Sequence, residues 1–313
     1  MDTFNEKPKR GEINHSNANM IAWGVIGGGA VLLLGNLGIF SGILSLWPLA
    51  LVGGGAWYLT HKGTKMEIKH EHYSAGIGDA TSARVKLSLP VGETTIHGID
   101  DASNLIDADM RFVGDMIFEV EGDSEKAVNL RQTGDSWANW AHPKNWDWKA
   151  GKDLYSTIGL NTSVPMILDV EGGVGESRID LSRMNINHLD VNGGVGEIRL
   201  TLPTKADSLD VRAQVGVGRM ELNIPANVNL NARLKGGVGE TLVRLPYEAA
   251  VRLEANNGIG DISVGPNFHR VSGGNHGDWG IGKNGVWETA NFATAAQKIT
   301  IHFDGGIGQL TVR

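Results

Sequence analysis

A His-Glu-His segment is the first group of residues in the sequence that could bind a metal ion. On a strand, His70 and His72 would lie on the same face, two residues apart. Structural zinc sites take four ligands, and the spacing of the remaining histidines and acidic residues supplies no third ligand. We therefore interpret the segment as solvated, and we expect neither a metal nor a cofactor.

Acidic side chains form a second group, because they recur at one position of a repeat. Glu176, Glu197, Glu240 and Asp261 each follow a Gly-x-Gly corner. Stacked repeats would bring them into one column, which we expect to face water and to serve solubility more than binding. The motif differs from the calcium-binding nonapeptide Gly-Gly-x-Gly-x-Asp, since its period is about 21 residues and Ile198, for example, holds the aspartate position.

The sequence lacks the residues that most enzyme classes use. It contains 0 cysteines, which excludes disulfides, thiolate metal sites and cysteine nucleophiles. No nucleophile elbow, phosphate loop or acid-base pair stands out from the repeat. A formal net charge of −7 without a basic stripe argues against nucleic acid as a partner. We therefore predict that the protein is not an enzyme.

Tryptophan is concentrated in two places, which we predict to be a candidate interaction surface. Four residues crowd into one short stretch and two more lie further along the chain: Trp137, Trp140, Trp146, Trp148, Trp279 and Trp287. The first four are compatible with three roles: an aromatic cap over the open end of a β stack, an anchor at the membrane surface, or a sugar-binding platform.

Glycine-rich motifs recur at a regular interval in the second half of the chain. Gly-Gly-Val-Gly-Glu or a close variant has its central Val or Ile at positions 174, 195, 217, 238 and 259, and at 307 after an insertion. A period of about 21 residues is typical of a solenoid, in which each unit buries its apolar face against the next. We assign the glycine after each central residue to a structural turn: Gly175, Gly196, Gly218, Gly239, Gly260 and Gly308.

Alternation of apolar and polar residues on both sides of each corner indicates strands. Ile198, Leu200 and Leu202 alternate with polar residues until Pro203 ends the run. We predict two short strands per repeat, joined by the glycine turn. The result is an all-β, layered, solenoid-like domain over residues 66–313.

Three further expectations concern this stack. Its interior should be lined by Leu200 and by the equivalent residues of other repeats, Ile179, Leu222 and Val243. Residues 265–295 interrupt the repeat and are predicted to be a loop insertion. The last layer, residues 299–313, is expected to end the stack with an exposed strand, to which a partner or a second copy could add.

A long apolar run near the N-terminus predicts a membrane anchor. No Asp, Glu, Lys or Arg lies between Glu12 and Lys62, and one membrane-spanning helix needs about 20 apolar residues. Residues 20–61 are therefore predicted to form a two-helix transmembrane hairpin, after a polar cytoplasmic tail at 1–19. Aromatic residues near the predicted helix ends suit the membrane interface: Trp23, Trp47, Trp57 and Tyr58.

Basic residues flank the predicted hairpin on both sides. Lys7, Lys9 and Arg10 precede it and Lys62, Lys65 and Lys69 follow it, whereas the connecting loop carries no charge. Basic residues beside transmembrane helices favour the cytoplasmic side. We therefore predict a multi-pass protein of the cell membrane, with both termini and the β domain in the cytoplasm.

Two segments resemble known families. The stretch from Leu34-Gly35-Asn36-Leu37-Gly38 to Leu46-Trp47-Pro48-Leu49 resembles the two-helix membrane region of LiaF-type proteins, which are bacterial regulators of cell-envelope stress responses. The repeats around Val174-Gly175-Glu176 and Leu189-Asp190-Val191 resemble the toast-rack and adhesin-type β domains that such anchors often carry. The best-known LiaF-type members have four helices, whereas this sequence has two.

The resemblance implies a role but brings no catalytic residues. It implies a membrane-anchored, non-catalytic regulator or scaffold in cell-envelope stress sensing or signalling. Its partners would be the lipid bilayer and a protein, such as a membrane sensor kinase or a second copy. The alternative is a structural or adhesin-like module of the envelope or cell surface.

Overall fold

A computed structural model describes five stretches of the chain, namely residues 68–89, 91–133, 153–204, 208–273 and 281–313. The predicted tail at 1–19 and the predicted hairpin at 20–61 lie outside these stretches. Within them, we find no helix with the length and apolar character needed to cross a bilayer. The strands all fall in one compact unit, Gly63–Arg313.

The described residues form fifteen strands. In chain order these are β1 (Ile68–Gly76), β2 (Ser82–Ser88), β3 (Glu93–Ile99), β4 (Asn104–Val113), β5 (Asp115–Glu121), β6 (Glu125–Thr133), β7 (Tyr155–Asn161), β8 (Met166–Asp180), β9 (Ile186–Thr201), β10 (Leu209–Asn223), β11 (Leu230–Arg244), β12 (Val251–Val264), β13 (Phe268–Ser272), β14 (Ile281–Thr289) and β15 (Ile299–Val312). They belong to a single sheet, which agrees with the predicted all-β domain.

Each central repeat is one long strand bent at its glycine corner. In β10, Val211 and Ala213 are buried before the corner, and Met220 and Leu222 are buried after it. The buried positions change from odd to even because the backbone turns at Gly218, whose φ is 133°. Both arms of the strand therefore face the same core. The prediction of two short strands per repeat was wrong in this respect, since the ladder continues through the corner.

Strands β8 to β11 stack in sequence order as parallel neighbours. The repeat length places equivalent residues side by side, so that Val195 pairs with Val174 on one side and with Val217 on the other. The predicted interior is confirmed: exposed fractions are 2% for Ile179 and 0% for Leu200, Leu222 and Val243. The rows of Leu, Ile and Val form one continuous core.

The first bent layer is built from two strands. β2 pairs with the first arm of β8 and β3 with the second arm, so the Gly92 corner lies beside the Gly175 corner. β2 and β3 together therefore take the place of one bent strand in the stack. On the side of the second arm, β3 is followed outward by β7, β4 and β1. On the side of the first arm, β2 is followed outward by β6 and β5.

The C-terminal strand is not the end of the stack. β15 lies between β11 and β12 and pairs in parallel with both, and Ile301 in β15 is fully buried. The expectation of an exposed last layer at 299–313 was therefore wrong.

The side chains of β12 and β15 fit closely where the two strands meet. Asn257 in β12 stands where most repeats have glycine, and its buried amide donates to the Gly308 carbonyl at 2.9 Å. A Cβ on the opposing residue, Gly305, would lie 2.3 Å from Asn257 Oδ1 and 2.7 Å from Phe303 Cε1. β15 therefore matches β12 at a site where a side chain on one strand requires glycine on the other.

The segment 265–295 interrupts the repeat, but it is not only a loop. It contains β13 and β14, which form an antiparallel pair, and β14 also pairs in antiparallel register with β12. Trp287 stands opposite Leu253, and the hydroxyl of Thr289 accepts the Val251 N–H at 2.9 Å. The predicted loop was wrong because these contacts give the segment a partner strand.

Candidate interaction surfaces

The six predicted turn glycines line up across the stack. Their φ angles range from 129° at Gly260 to 148° at Gly308, a region that L side chains rarely adopt. A Cβ at Gly196 would lie 1.9 Å from the Gly175 carbonyl oxygen of the neighbouring strand. Both the conformation and the close approach of the strands thus require glycine at the corner.

An exposed row of β-branched side chains runs along the corner. We call it the corner ridge, and in spatial order it consists of Val174, Val195, Val217, Val238, Ile307 and Ile259. The last five are 47–51% exposed. With a strand spacing of about 4.8 Å, the ridge is about 24 Å long. Contiguous apolar rows on a protein surface mark candidate interaction sites, and the sequence had not indicated that these residues face outward.

The predicted acidic column lies beside the ridge, but it is interrupted. The register places Arg219 between Glu197 and Glu240, and Gln309 between Glu240 and Asp261. The carboxylates also have cationic partners. Arg199 lies 2.9 Å from Glu197 and Arg219 lies 2.7 Å from Glu240. A hydrogen bond from Lys283 lowers the pKa of Asp261. This row therefore does not concentrate negative charge as a cation site would.

Replacing Glu197 by Gln should change the free energy of unfolding by less than about 0.5 kcal/mol, because its partner Arg199 is 45% exposed and water screens such pairs. Thermal unfolding of the two proteins measures the difference. Arg199→Gln is the matched control, since it removes the same ion pair from the other side and should give an equally small change. A large loss on Glu197→Gln alone would mean that this carboxylate has a further, binding role.

The His-Glu-His segment lies on the edge strand β1, beside aspartates of β4 that the sequence analysis did not single out. His70 Nε2 is 2.5 Å from Asp109 Oδ1, and His72 Nε2 is 3.4 Å from Asp107 Oδ2. The Tyr155 hydroxyl of β7 donates to Asp109 Oδ2 at 3.3 Å. The matched alternation of His70-x-His72 and Asp107-x-Asp109 was a signal that could have suggested this pairing.

An open depression of about 310 Å³ lies on the same face of the sheet; its lining is His97, Ile99, Asp101, Asp107, Asp109, Thr157 and Gly159. Desolvation and the charge of Asp109 raise the pKa of Tyr155. Hydrogen bonds from the Ser103 hydroxyl and backbone N–H lower the pKa of Asp101 to about 2.

Across the part of the chain that the structure covers, no three His, Asp or Glu side chains are arranged to hold a metal ion.

Of the six predicted surface tryptophans, only Trp287 lies in the described residues. Its ring is partly buried against the core, and the Arg270 guanidinium lies 5.4 Å from the ring centroid. Its surface is thus largely occupied by contacts within the domain, unlike the free surface that we predicted. The other five, and the predicted interface residues Trp23, Trp47, Trp57 and Tyr58, lie outside the described residues.

Parallel strands bent at a glycine corner and stacked in register define a layered, solenoid-like β domain. The chain belongs to the family described as the N-terminal domain of toast_rack, DUF2154, whose profile matches residues 60–223. This confirms the resemblance of the β domain to toast-rack proteins. The LiaF-type resemblance concerns residues outside the described stretches and stays a prediction.

Solved structures that are similar to the chain include the following two. A "putative cell adhesion protein" from Clostridium sporogenes superposes with a TM-score of 0.52 at 19% identity, covering 79% of this chain and 99% of that one. A "putative adhesin" from Bacteroides fragilis gives a TM-score of 0.35 at 11% identity, covering 80% of this chain and 99% of the other. Curated protein sequences gave no significant match. The first structure supports the all-β architecture, and at this identity the likeness concerns the fold.

Proposed function

We propose that this protein is a membrane-anchored, non-catalytic scaffold or regulator that acts through protein–protein contacts of its β domain. The observation that carries the proposal is the corner ridge, in which residues such as Val217 and Ile259 stay about half exposed on successive strands. Exposed apolar rows of this kind favour binding to another surface over catalysis.

The site chemistry is consistent with a role in binding. The carboxylates beside the ridge are engaged by arginine and lysine, and the His70–Asp109 pair is exposed. Neither group has the buried acid, base or nucleophile that catalysis usually requires. The proposal that the protein is not an enzyme therefore rests on the described surfaces and on the absence of cysteine from the sequence.

The membrane anchor and its orientation belong to the proposal as well. The uncharged run at 20–61 supports a two-helix anchor, and the basic residues on both sides support a cytoplasmic β domain. A role in cell-envelope stress signalling, with a sensor kinase as partner, is supported by the resemblance of the N-terminal run to LiaF-type proteins.

An alternative function is a structural or adhesin-like module of the envelope or cell surface. The observation that favours it is the structural likeness to a chain described as a putative cell adhesion protein. The two functions require opposite orientations, because a surface module must lie outside the cell.

Protease treatment decides between these orientations. We expect the β domain of the full chain to survive protease added to intact cells and to be digested in inverted membrane vesicles. A cytoplasmic protein of the same cells is the control for leakage. Digestion in intact cells would contradict the cytoplasmic orientation and favour the surface module.

The regulatory role has its own test. In cells that carry an envelope-stress reporter, deletion of the gene should change the reporter response, and a variant that charges the ridge, Val217→Asp with Val238→Asp, should reproduce the deletion at unchanged protein level. If deletion leaves the response unaltered under envelope stress, the regulatory role is wrong.

A further inference from the structure

The corner ridge places a valine or an isoleucine at the same position of six neighbouring strands, so that the side chains are one strand spacing apart. The ladder places Val195, Val217 and Val238 side by side in register. Glycine precedes and follows each ridge residue, so no other side chain stands directly beside the ridge within its own strand. A surface that matches such a row must present apolar side chains at the same strand spacing, and the ridge of another copy does so.

We propose that the corner ridge is a self-association surface, on which a second copy of this chain lies with its ridge parallel and in register. This inference rests on the proposed scaffold function and names its partner. In this pairing each ridge residue meets its own equivalent, so that Val217 faces Val217 of the second copy. Two rows of identical β-branched residues that pack against each other exclude water between them.

The charges beside the ridge are complementary at its centre. Three residues before Val238 stands Lys235, which is exposed, and two residues after Val238 stands Glu240. A parallel, in-register contact brings Glu240 of one copy, which also pairs with Arg219 of its own chain, opposite Lys235 of the other copy, on both sides of the ridge. At the other end the same pairing brings Glu171 opposite Glu176. The contact should therefore be closest from β10 to β15 and loosest at β8, where Val174 is also less exposed than the other ridge residues.

The direction of the chain also favours parallel pairing. β1, where the polypeptide enters the domain, lies toward the β8 end of the ridge in the strand order. Parallel ridges keep the entry points of both copies at the same end, which suits two chains held in one membrane. Antiparallel ridges would place these points at opposite ends.

The size of the ridge determines where association occurs. The ridge is one side chain wide and about 24 Å long. The surface area that it can bury is therefore smaller than the roughly 800 Å² per partner that a standard stable interface buries. Two free β domains should therefore associate only weakly. Anchoring raises the local concentration, which converts a weak contact into a populated one.

Single-cysteine cross-linking of the full chain in membrane vesicles tests the proposal, because the natural sequence contains 0 cysteines. Val217→Cys and Val238→Cys should each give a disulfide-linked dimer on mild oxidation, several-fold more than Tyr247→Cys, a 94% exposed position far from the ridge in the repeat. Val174→Cys should give an intermediate yield. A yield at Val217→Cys equal to that of Tyr247→Cys would overturn the proposal.

Three further variants test separately whether the apolar contact and the charges beside it stabilise the dimer. Adding Val195→Thr and Val238→Thr to Val217→Cys keeps the β-branched shape and the fold but should lower the dimer yield several-fold. Lys235→Glu should also lower it, and Glu240→Lys added to Lys235→Glu should restore it. No effect of the threonine variants would overturn the role of the ridge.

The products also distinguish other partners. An adduct of Val217→Cys with a protein of different mass, without a dimer, would overturn the second copy as the occupant while leaving the scaffold function in place. Cross-links only between Val217→Cys and Val238→Cys chains mixed together would overturn the parallel register. Dimers together with an unaltered stress response on deletion would support the self-association and contradict the regulatory function.

Discussion

Replacing Gly175 by Ala should lower the free energy of unfolding by about 3 kcal/mol or more. The φ angle of Gly175 is 146°, and an added Cβ would lie 2.0 Å from the backbone oxygen of Gly92. That contact cannot be relieved by rotating a side chain, because the backbone fixes the position of the Cβ and the oxygen belongs to the backbone of Gly92, whose N–H donates to the Val174 carbonyl at 3.0 Å. The backbone around Gly92 would have to move away from β8 at the corner, and this movement would disturb the pairing of β8 with β2 and β3.

The same corner supplies the matched control. At Gly172 an added Cβ would meet only Ser177 Oγ at 3.8 Å and Asn192 O at 3.9 Å, which is ordinary van der Waals contact. Gly172→Ala should therefore be close to neutral. Thermal unfolding measures both changes, and for a domain of this size 3 kcal/mol corresponds to a decrease in Tm of roughly 10 °C. Equal effects of the two substitutions would refute the assignment of the corner glycines to backbone geometry.

Replacing Ile301 by Asp should unfold the C-terminal part of the stack. Ile301 is fully buried in β15, between Ala232 of β11 and Leu253 of β12. An unpaired buried charge costs about 3–5 kcal/mol, a large part of the stability of a typical domain. Since β12 reaches the rest of the stack mainly through β15, the loss should spread to β12, β13 and β14.

Hydrogen exchange can locate this loss along the chain. In the Ile301→Asp variant, amides of β12 should lose protection, whereas those of β8 and β9, several layers away, should keep most of it. Thr300→Asp is the control, because Thr300 is only partly buried and stands opposite Arg252. If β12 stayed protected in Ile301→Asp, the position of β15 between β11 and β12 would be wrong.

Most of the stack was predictable, because its signals are local. The alternation around Leu200 and the recurring glycine before Glu197 indicate strands and corners within one repeat, and the repeat length then fixes which residues are neighbours. The interior positions could be named for the same reason.

The remaining features depend on contacts between distant segments. The place of β15 depends on pairing between segments that are far apart in the sequence, such as Asn257 with Gly305, which no pattern within one repeat connects. The pairing of His70 with Asp109 depends on the register of two antiparallel strands. The exposure of Val217 depends on the direction of the bend, since a valine between two glycines reads equally well as core or surface.

The insertion of β15 sets an order for folding during synthesis. Strands β8 to β11 can add to the stack one after another as they leave the ribosome, because each finds its neighbour already in place. β12 cannot do so, since its parallel neighbour β15 is translated later, after β13 and β14. Until then the growing chain carries an open edge on β11, and β12 lacks its parallel neighbour even after β14 has paired with its other edge. This interval is the period in which strand exchange with a neighbouring nascent chain competes with correct closure.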